Sequence, residues 1–201
     1  MARAMRAEDS PGSDSRSHAE VDLPTLARCR AQDPIAFQAF VRRYERLVFA
    51  VISPMLGHGS HVEDVAQEAF LRAYVAFPRF DPDGARPSRW LLTIATRLAI
   101  NERRRYVRSG GIAEPSAELA TWTTPESESV RGELGRAIER AIARLSDERC
   151  AVFVLAELHD MPLAEIAEVL GISENTVKTR LFRAREQLRG LLGPRRSDDH
   201  G

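Results

Sequence analysis

The segment from residue 109 to residue 130 constrains the fold more than any other part of the chain. It reads "SGGIAEPSAELATWTTPESESV" and contains four glutamates, two prolines and no basic residue. A connection of about twenty residues without secondary structure is unusual inside one compact domain. We therefore interpret it as an acidic flexible linker between two domains, residues 23–108 and residues 131–193. The polar ends, residues 1–22 and 194–201, are predicted to be a disordered N-terminal tail and a frayed C-terminal tail.

Apolar residues recur at helical spacing on both sides of this linker. In the first domain a helix is predicted after Pro34, because Asp33 is a favoured N-cap and proline is tolerated in a first helical turn. Two more helices are predicted over about residues 61–77 and over residues 88–108. No period-two strand pattern is present, so we predict an all-α fold. Five arginines fall in the last twelve residues of the third helix, which gives it a basic strip beside its apolar face.

The stretch "AEIAEVLGISENTVKTRLFRAR", residues 164 to 185, is typical of two short helices separated by a turn. Gly171 can adopt the left-handed conformation that the turn needs, and Ser173 is a favoured N-cap for the second helix. The apolar residues of that second helix recur on one face, which must be buried: Val177, Leu181, Ala184 and Leu188. The opposite face can donate hydrogen bonds to bases and phosphates, as in a helix-turn-helix. An ordinary helical hairpin with a solvated basic face would share this periodicity.

Composition and motifs exclude several classes of protein. No run approaches the ~18 apolar residues of a membrane helix, and the N-terminus lacks a secretory signal, so we expect a soluble, cytoplasmic protein without membrane insertion. The two cysteines, Cys29 and Cys150, form no CxxC pair. No cluster of histidine, cysteine and carboxylate residues has metal-ligand spacing, and no glycine-rich phosphate loop is present. We therefore predict a protein that is not an enzyme, with no catalytic residue, no metal and no cofactor.

Two blocks of sequence carry motifs of a known family. The first block contains the segments "DPIAFQAFVRRYERLVFAVI", "VEDVAQEAFLRAYVAFPRF" and "WLLTIATRLAINERRR", and the second is "LSDERCAVFVLAELHDMPLAEIAEVLGISENTVKTRLFRAREQLRGLL". The first block is similar to region 2 and the second to region 4 of the sigma-70 family, and together they most resemble the extracytoplasmic-function (ECF) group of RNA polymerase sigma factors. The resemblance implies two small helical domains joined by an extended linker. It also implies binding to core RNA polymerase, through its clamp helices and flap, and to promoter DNA.

In that reading, region 4 binds the −35 element as duplex DNA, and region 2 melts and captures the −10 element. An anti-sigma factor is a further expected partner. The residues that the resemblance assigns to the −35 element are Ser173, Glu174, Asn175, Thr176, Lys178, Thr179, Arg180 and Arg183. Those that it assigns to the −10 element are Phe80, Asp81, Trp90, Arg97, Asn101, Arg104 and Arg105. Those that it assigns to core polymerase are Asp64, Gln67 and Glu68.

Simpler interpretations exist for some of these residues. Trp90 could be a core residue, and the acidic positions of the second helix could be a solvated helix start. In the family the linker threads the RNA exit path of the polymerase, so we hypothesise that its glutamates act as an RNA mimic in a basic channel. These glutamates are Glu114, Glu118, Glu126 and Glu128.

Other classes of protein remain as rival hypotheses. A transcriptional regulator could use the helix-turn-helix without core polymerase, but the first block of similarity would then have no role. A helical interaction protein would not need the basic strips.

Overall fold

Residues 20–57, 60–108 and 130–193, the part of the chain that this computed structural model describes, form helices and short connections. The helices of an N-terminal group are α1 (Leu23–Arg30), α2 (Pro34–Leu56), α3 (Ser60–Ala76) and α4 (Pro87–Arg108). Those of a C-terminal group are α5 (Val130–Ala143), α6 (Asp147–Phe153), α7 (Leu163–Leu170) and α8 (Glu174–Leu192). The predicted all-α fold is therefore confirmed.

Local sequence signals set the ends of the first two helices. The Asp22 carboxylate accepts a hydrogen bond from the Thr25 N–H at 2.7 Å and caps α1. The Asp33 carboxylate caps α2 by accepting from Ile35 N–H at 2.8 Å, and Pro34 occupies the first turn as predicted. Gly57, with φ of 80°, ends α2 in a conformation that favours glycine.

An aromatic cluster forms the centre of the N-terminal group. The rings of Phe40 and Phe77 lie 5.0 Å apart, and those of Phe80 and Trp90 lie 4.8 Å apart. These contacts join α2 to the 3-10 turn Phe77–Arg79 and to the start of α4. Large buried rings contribute much of the apolar area that a small helical domain can remove from water.

Glu20, which precedes α1, contacts the helices of the N-terminal group. Its carboxylate accepts hydrogen bonds from the Tyr44 hydroxyl and from the Ser88 hydroxyl. It also accepts from the Ser88 backbone N–H at 3.3 Å, at the start of α4. Residues 20–22, which the sequence analysis placed in a disordered tail, therefore belong to the fold; the other residues of that predicted tail lie outside the described residues.

The predicted linker and the predicted C-terminal tail also fall largely or wholly outside the described residues. Of the predicted linker, only Val130 is described, and it begins α5 rather than ending the linker. The hypothesis of an RNA mimic concerns residues outside the described part of the chain, as does the predicted C-terminal tail.

The C-terminal group departs from the prediction at one place. After α6 the chain continues as a π-helical turn, Val154–Leu158. The sequence analysis predicted only helical spacing on this side of the linker, and a periodic apolar pattern does not distinguish an α-helix from a π-helix. Such π-helical turns occur often at functional sites. Here the turn brings His159 Nε2 to within 3.1 Å of the Ala50 carbonyl oxygen of α2.

The two helical groups pack against each other. Helix α4 contacts α6 and α7, and α2 contacts α5 and α6. The buried apolar side chains of both groups belong to one continuous cluster. The sequence analysis expected two small domains joined by a linker, and it made no prediction of direct packing between them. Within the described ranges, no helix combines the length and the apolar character needed to cross a membrane.

Candidate nucleic-acid interface

Helix α8 presents one buried face and one exposed polar face. The buried residues are those of the predicted apolar stripe, Val177, Leu181, Ala184 and Leu188. The exposed residues are Asn175, Lys178, Thr179, Phe182 and Arg183. This face combines an amide, a hydroxyl, two cations and one aromatic ring, which are groups that can contact base edges and phosphates in a major groove.

The turn before α8 has the conformation that the sequence predicts. Gly171 has φ of 66° and ends α7 in the left-handed region. The Ser173 hydroxyl accepts a hydrogen bond from the Thr176 N–H at 3.2 Å and caps α8. These two residues fix the angle at which α8 leaves the turn, and Ser173 and Thr176 are therefore placed as capping residues.

Two further candidate residues make contacts along α8. Lys178 Nζ lies 2.8 Å from a Glu174 carboxylate oxygen, and the Thr179 hydroxyl donates to the Asn175 carbonyl at 2.9 Å. Both contacts are made within one turn of an exposed helix, so they hold the side chains weakly.

Arg180 stands apart from the other candidates on α8. Its side chain is only half exposed, and it lies towards Glu148 of α6. The pKa of the Glu148 carboxyl is held below its usual range, first by the backbone N–H of Glu148 and further by the charges of Arg104 and Arg180. Arg180 therefore does not lie on the exposed face that carries Lys178 and Arg183.

The strip of basic residues on α4 is partly exposed. Arg97 and Asn101 are exposed, and Arg105 is exposed while it pairs with Glu102 of the same helix at 2.8 Å. Arg104 is 48% exposed and pairs with Glu148 of α6 at 2.5 Å. The strip predicted from the sequence thus exists, but the C-terminal group covers one side of it.

Phe80 does not line an open loop. Its side chain is 3% exposed and packs against Phe77 at 5.5 Å and Trp90 at 4.8 Å. This placement corrects the sequence assignment of Phe80 as a base-lining residue, because the loop turns the ring inwards to complete the aromatic cluster. Trp90 is half buried against the same cluster, so it packs on one side and is accessible on the other. Asp81 is exposed, and its carboxylate accepts from Asp83 N–H at 3.1 Å.

The exposed face of α3 carries the residues predicted to bind polymerase. Asp64 and Gln67 are exposed, and Glu68 pairs with Arg72 at 2.6 Å. The same face continues with two apolar side chains, Leu71 at 55% exposure and Val75 at 75%. The sequence analysis did not name these two residues, although their spacing from Asp64 places them on the same helical face.

Arg103 is a functional candidate that the sequence analysis passed over. Its side chain is 7% exposed. It lies on the buried face of α4, four and eight residues beyond the buried Ala99 and Ala95. That spacing was the available signal, but the sequence analysis counted Arg103 only as one of the five arginines at the end of this helix.

The described residues contain no group of three or more histidine, cysteine or carboxylate side chains that could hold a metal ion. Cys29 and Cys150 are both buried free thiols. Burial raises the pKa of the Cys150 thiol to about 11, so it stays protonated at neutral pH. Neither thiol has the exposure that a reactive cysteine needs in this conformation.

Comparisons with known proteins assign both helical groups to families. The family model "Sigma-70 region 2" matches residues 40–109, and the model "Sigma-70, region 4" matches residues 135–188. The ECF RNA polymerase sigma factor SigW of Bacillus subtilis is 36% identical over 177 residues, covering 83% of this chain and 94% of SigW.

Solved structures show similar folds. CnrH, solved in complex with the cytosolic domain of CnrY, is 26% identical with a TM-score of 0.61, covering 84% of this chain and 95% of CnrH. The sigma factor RpoE of Bartonella quintana, solved in complex with the anti-sigma factor NepR, is 20% identical with a TM-score of 0.62, and it covers 80% of this chain and 98% of that one. At that identity the second similarity concerns the fold alone.

Proposed function

The chain belongs to the ECF sigma factors of the sigma-70 family. From this membership we propose which of its surfaces bind promoter DNA and which bind core RNA polymerase. It binds core RNA polymerase, directs it to promoters through two DNA contacts, and leaves the chemistry of RNA synthesis to the polymerase. The N-terminal group is its region 2 and the C-terminal group its region 4.

The observation that carries this proposal is the exposed face of α8. A side chain can read a base only if it reaches the groove, and Asn175, Lys178 and Arg183 all project from the face opposite the buried stripe. Asparagine can bond adenine and arginine can bond guanine in the major groove through paired hydrogen bonds. We assign these three residues, with Thr179, to duplex DNA of the −35 element, and Ser173, Thr176 and Glu174 to positioning them.

The −10 element is assigned to α4 and the loop before it. Helix α4 carries two exposed cations, Arg97 and Arg105, and one exposed amide, Asn101. The accessible side of Trp90 lies near the start of the same helix. Such a combination suits a single strand, because cations track the backbone while an aromatic ring stacks on a base. Phe80 supports Trp90 from the core, and Asp81 shapes the loop.

The polymerase contact is assigned to α3. Asp64, Gln67 and Glu68 supply acceptors, while Leu71 and Val75 supply exposed apolar area on the same face. A surface that is apolar at one end and acidic at the other is typical of a protein interface rather than of a DNA interface, since carboxylates repel phosphates.

Two further expectations follow from this role. A sigma factor must reach the polymerase and the promoter, so we expect the chain to act in the cytoplasm. RpoE of Bartonella quintana has been solved with an anti-sigma factor, and we expect an anti-sigma factor to cover the polymerase-binding or DNA-binding surfaces of this chain as well.

The test is transcription from a library of promoter DNA by core polymerase with and without the purified protein. Sequencing of the run-off transcripts is expected to reveal shared −35 and −10 motifs upstream of the start sites. Asn175→Ala is expected to relax the preference at one −35 position, whereas Arg42→Ala, on an exposed part of α2 outside the assigned surfaces, is expected to leave the motifs unchanged. DNA binding without core-dependent initiation would favour the rival regulator that acts without polymerase.

A further inference from the structure

Glu20 joins three segments of the N-terminal group that are far apart in the chain. One of its carboxylate oxygens accepts hydrogen bonds from the Tyr44 hydroxyl of α2 and from the Ser88 backbone N–H of α4, the latter at 3.3 Å. The other oxygen accepts from the Ser88 hydroxyl at 2.5 Å. We call these contacts of Glu20 with Tyr44 and Ser88 the Glu20 anchor.

The Tyr44 hydroxyl holds Glu20 from the side of the core. Tyr44 is 1% exposed, and its ring packs edge-on against Phe40 at 4.7 Å. Its hydroxyl donates to Glu20 and accepts a hydrogen bond from the Val21 N–H at 3.2 Å. Burial, and then the hydrogen bond to the Glu20 carboxylate, raises the pKa of the Tyr44 hydroxyl. The hydroxyl therefore remains a donor at neutral pH and gives the carboxylate a fixed position.

At α4, Glu20 takes the place of a local N-cap. The residue before this helix is Arg86, whose side chain has no acceptor atom, and the first helical residue, Pro87, has no N–H. The Ser88 N–H is the next donor along the chain, and it reaches the Glu20 carboxylate. A carboxylate at a helix N-terminus also interacts favourably with the helix dipole. The cap of α4 is therefore supplied from a segment 68 positions earlier.

Trp90 depends directly on this cap. Its N–H donates to the Arg86 carbonyl at 3.0 Å, and this hydrogen bond closes the first turn of α4. Helix ends fray, and a first turn without a capping group frays more readily. The preceding residues 81–86 form an irregular loop. Loss of the cap is therefore expected to release the backbone of Trp90.

The aromatic cluster holds only one side of Trp90. Its ring packs against Phe77 at 5.2 Å and against Phe80 at 4.8 Å, while the other side is accessible. The proposed function assigns this accessible side to a base of the −10 strand. A ring that is already held in one orientation loses less conformational freedom when a base stacks on it.

We propose that Glu20 is a positioning residue for −10 recognition, which acts on Trp90 through the first turn of α4. Its carboxylate would repel phosphates, so it acts on the helix and not as a ligand of DNA. This role rests on the assignment of Trp90 to the −10 strand under the proposed function, whereas the Glu20 anchor stands on the contacts above.

The first measurement reports the position of Trp90 without DNA. The chain contains two tryptophans, Trp90 and Trp122, so in a Trp122→Phe background acrylamide quenching of fluorescence reports Trp90 alone. Glu20→Ala and Tyr44→Phe are each expected to raise the quenching constant about twofold, because they remove the anchor. The matched control is Asp22→Ala, which removes a neighbouring exposed carboxylate that caps α1 instead. It is expected to leave the quenching constant unchanged.

The second measurement uses the holoenzyme formed from core polymerase and the full-length protein. Binding to a single-stranded oligonucleotide with the −10 motif from the run-off assay is expected to be about threefold weaker for Glu20→Ala than for Asp22→Ala. Binding to duplex DNA with the −35 motif is expected to be equal for both. In a Trp90→Ala background, Glu20→Ala is expected to have no further effect, whereas a general loss of stability would weaken binding in both backgrounds.

The outcomes separate this role of Glu20 from the proposed function. Equal quenching in Glu20→Ala and Asp22→Ala would overturn the Glu20 anchor as the device that positions Trp90. Higher quenching with unchanged −10 binding, or an equal effect of Glu20→Ala with and without Trp90, would overturn its role in recognition. If Trp90→Ala by itself left −10 binding unchanged, the assignment of Trp90 under the proposed function would fail, and the role of Glu20 in recognition with it.

Discussion

Helices α4 and α8 both carry several cations, but these cations have different partners. On α4, Arg89, Arg103 and Arg104 pair with carboxylates of α6 and α7, which are distant in sequence. On α8, Lys178 pairs with Glu174 and Arg189 pairs with Glu186 of the same helix, and Arg185 pairs with Glu157 within the same C-terminal group. Pairs within one exposed helix contribute a few tenths of a kcal/mol and leave the helix face accessible. Pairs between helices hold the two groups together.

The comparison teaches that a basic helix is not by itself a DNA-binding surface. Lys178 and Arg183 of α8 are exposed in the conformation described, whereas Arg103 of α4 is buried and Arg104 is paired with the C-terminal group. The four predictions that follow test this difference, beginning with the largest expected effect.

Arg103→Ala is expected to lower the free energy of unfolding by about 3–5 kcal/mol, because it removes the donor of three carbonyl oxygens and one partner of the half-buried Asp147 carboxylate. Urea unfolding followed by circular dichroism measures this loss. The matched control is Arg105→Ala, since Arg105 is 73% exposed and pairs only one turn away. If Arg105→Ala lowered the free energy of unfolding by more than about 1 kcal/mol, or if both variants lost the same amount, the proposed difference between the buried and the exposed arginine would be contradicted.

Gly171→Ala is expected to cost about 1–2 kcal/mol, because a residue with a Cβ is strained at the observed φ of 66°. Gly171→Asn is the control, since asparagine tolerates this conformation better than alanine. Thermal unfolding of both variants measures the difference. If alanine and asparagine were equally destabilising, then the added atoms beside Arg97, rather than the backbone conformation, would be the cause.

Ser173→Ala is expected to cost about 1 kcal/mol by removing the hydrogen bond that caps α8. Ser146→Ala is a matched control in the same region, because Ser146 precedes α6 but its side chain makes no capping hydrogen bond. Its expected effect is close to zero. Both can be measured by thermal unfolding, and a similar loss for both serines would argue against capping as the reason for Ser173.

Lys178→Ala is expected to change the free energy of unfolding by less than about 0.5 kcal/mol, because it breaks only an exposed pair within α8. It is expected to weaken binding to a duplex promoter found in the run-off assay and to reduce the salt slope of that binding by about 1. Arg42→Ala removes the same charge outside the assigned surfaces and serves as the control. Equal weakening by both variants would mean that net charge, not the α8 face, sets affinity.

Much of the helical architecture could be predicted because its signals are local. Asp33 and Pro34 begin α2, Gly171 and Ser173 separate α7 from α8, and the apolar stripe of α8 is buried as its spacing requires. Each of these features depends on residues within a turn or two of one another, so periodicity and capping rules apply directly.

Other placements depended on contacts between residues far apart in the chain. Phe80 sits in a polar loop, and nothing local shows that its ring turns inwards onto Trp90. The sequence places Glu20 in a polar tail, whereas in the structure its carboxylate accepts hydrogen bonds from Tyr44 and Ser88. In both cases the partner lies on another element, and the order of the residues does not reveal which elements meet.

The arginine run of α4 has some properties that follow from local sequence and others that follow only from contacts between distant residues. Its helical period, its basic character and its similarity to region 2 were readable from the order of residues. Which arginine is buried, and which carboxylates neutralise its neighbours, was decided by the packing of region 4 onto α4 and α2. The physical reason is that desolvation and ion pairing depend on distances in space, and Arg103 lies 44 positions before the Asp147 that it contacts.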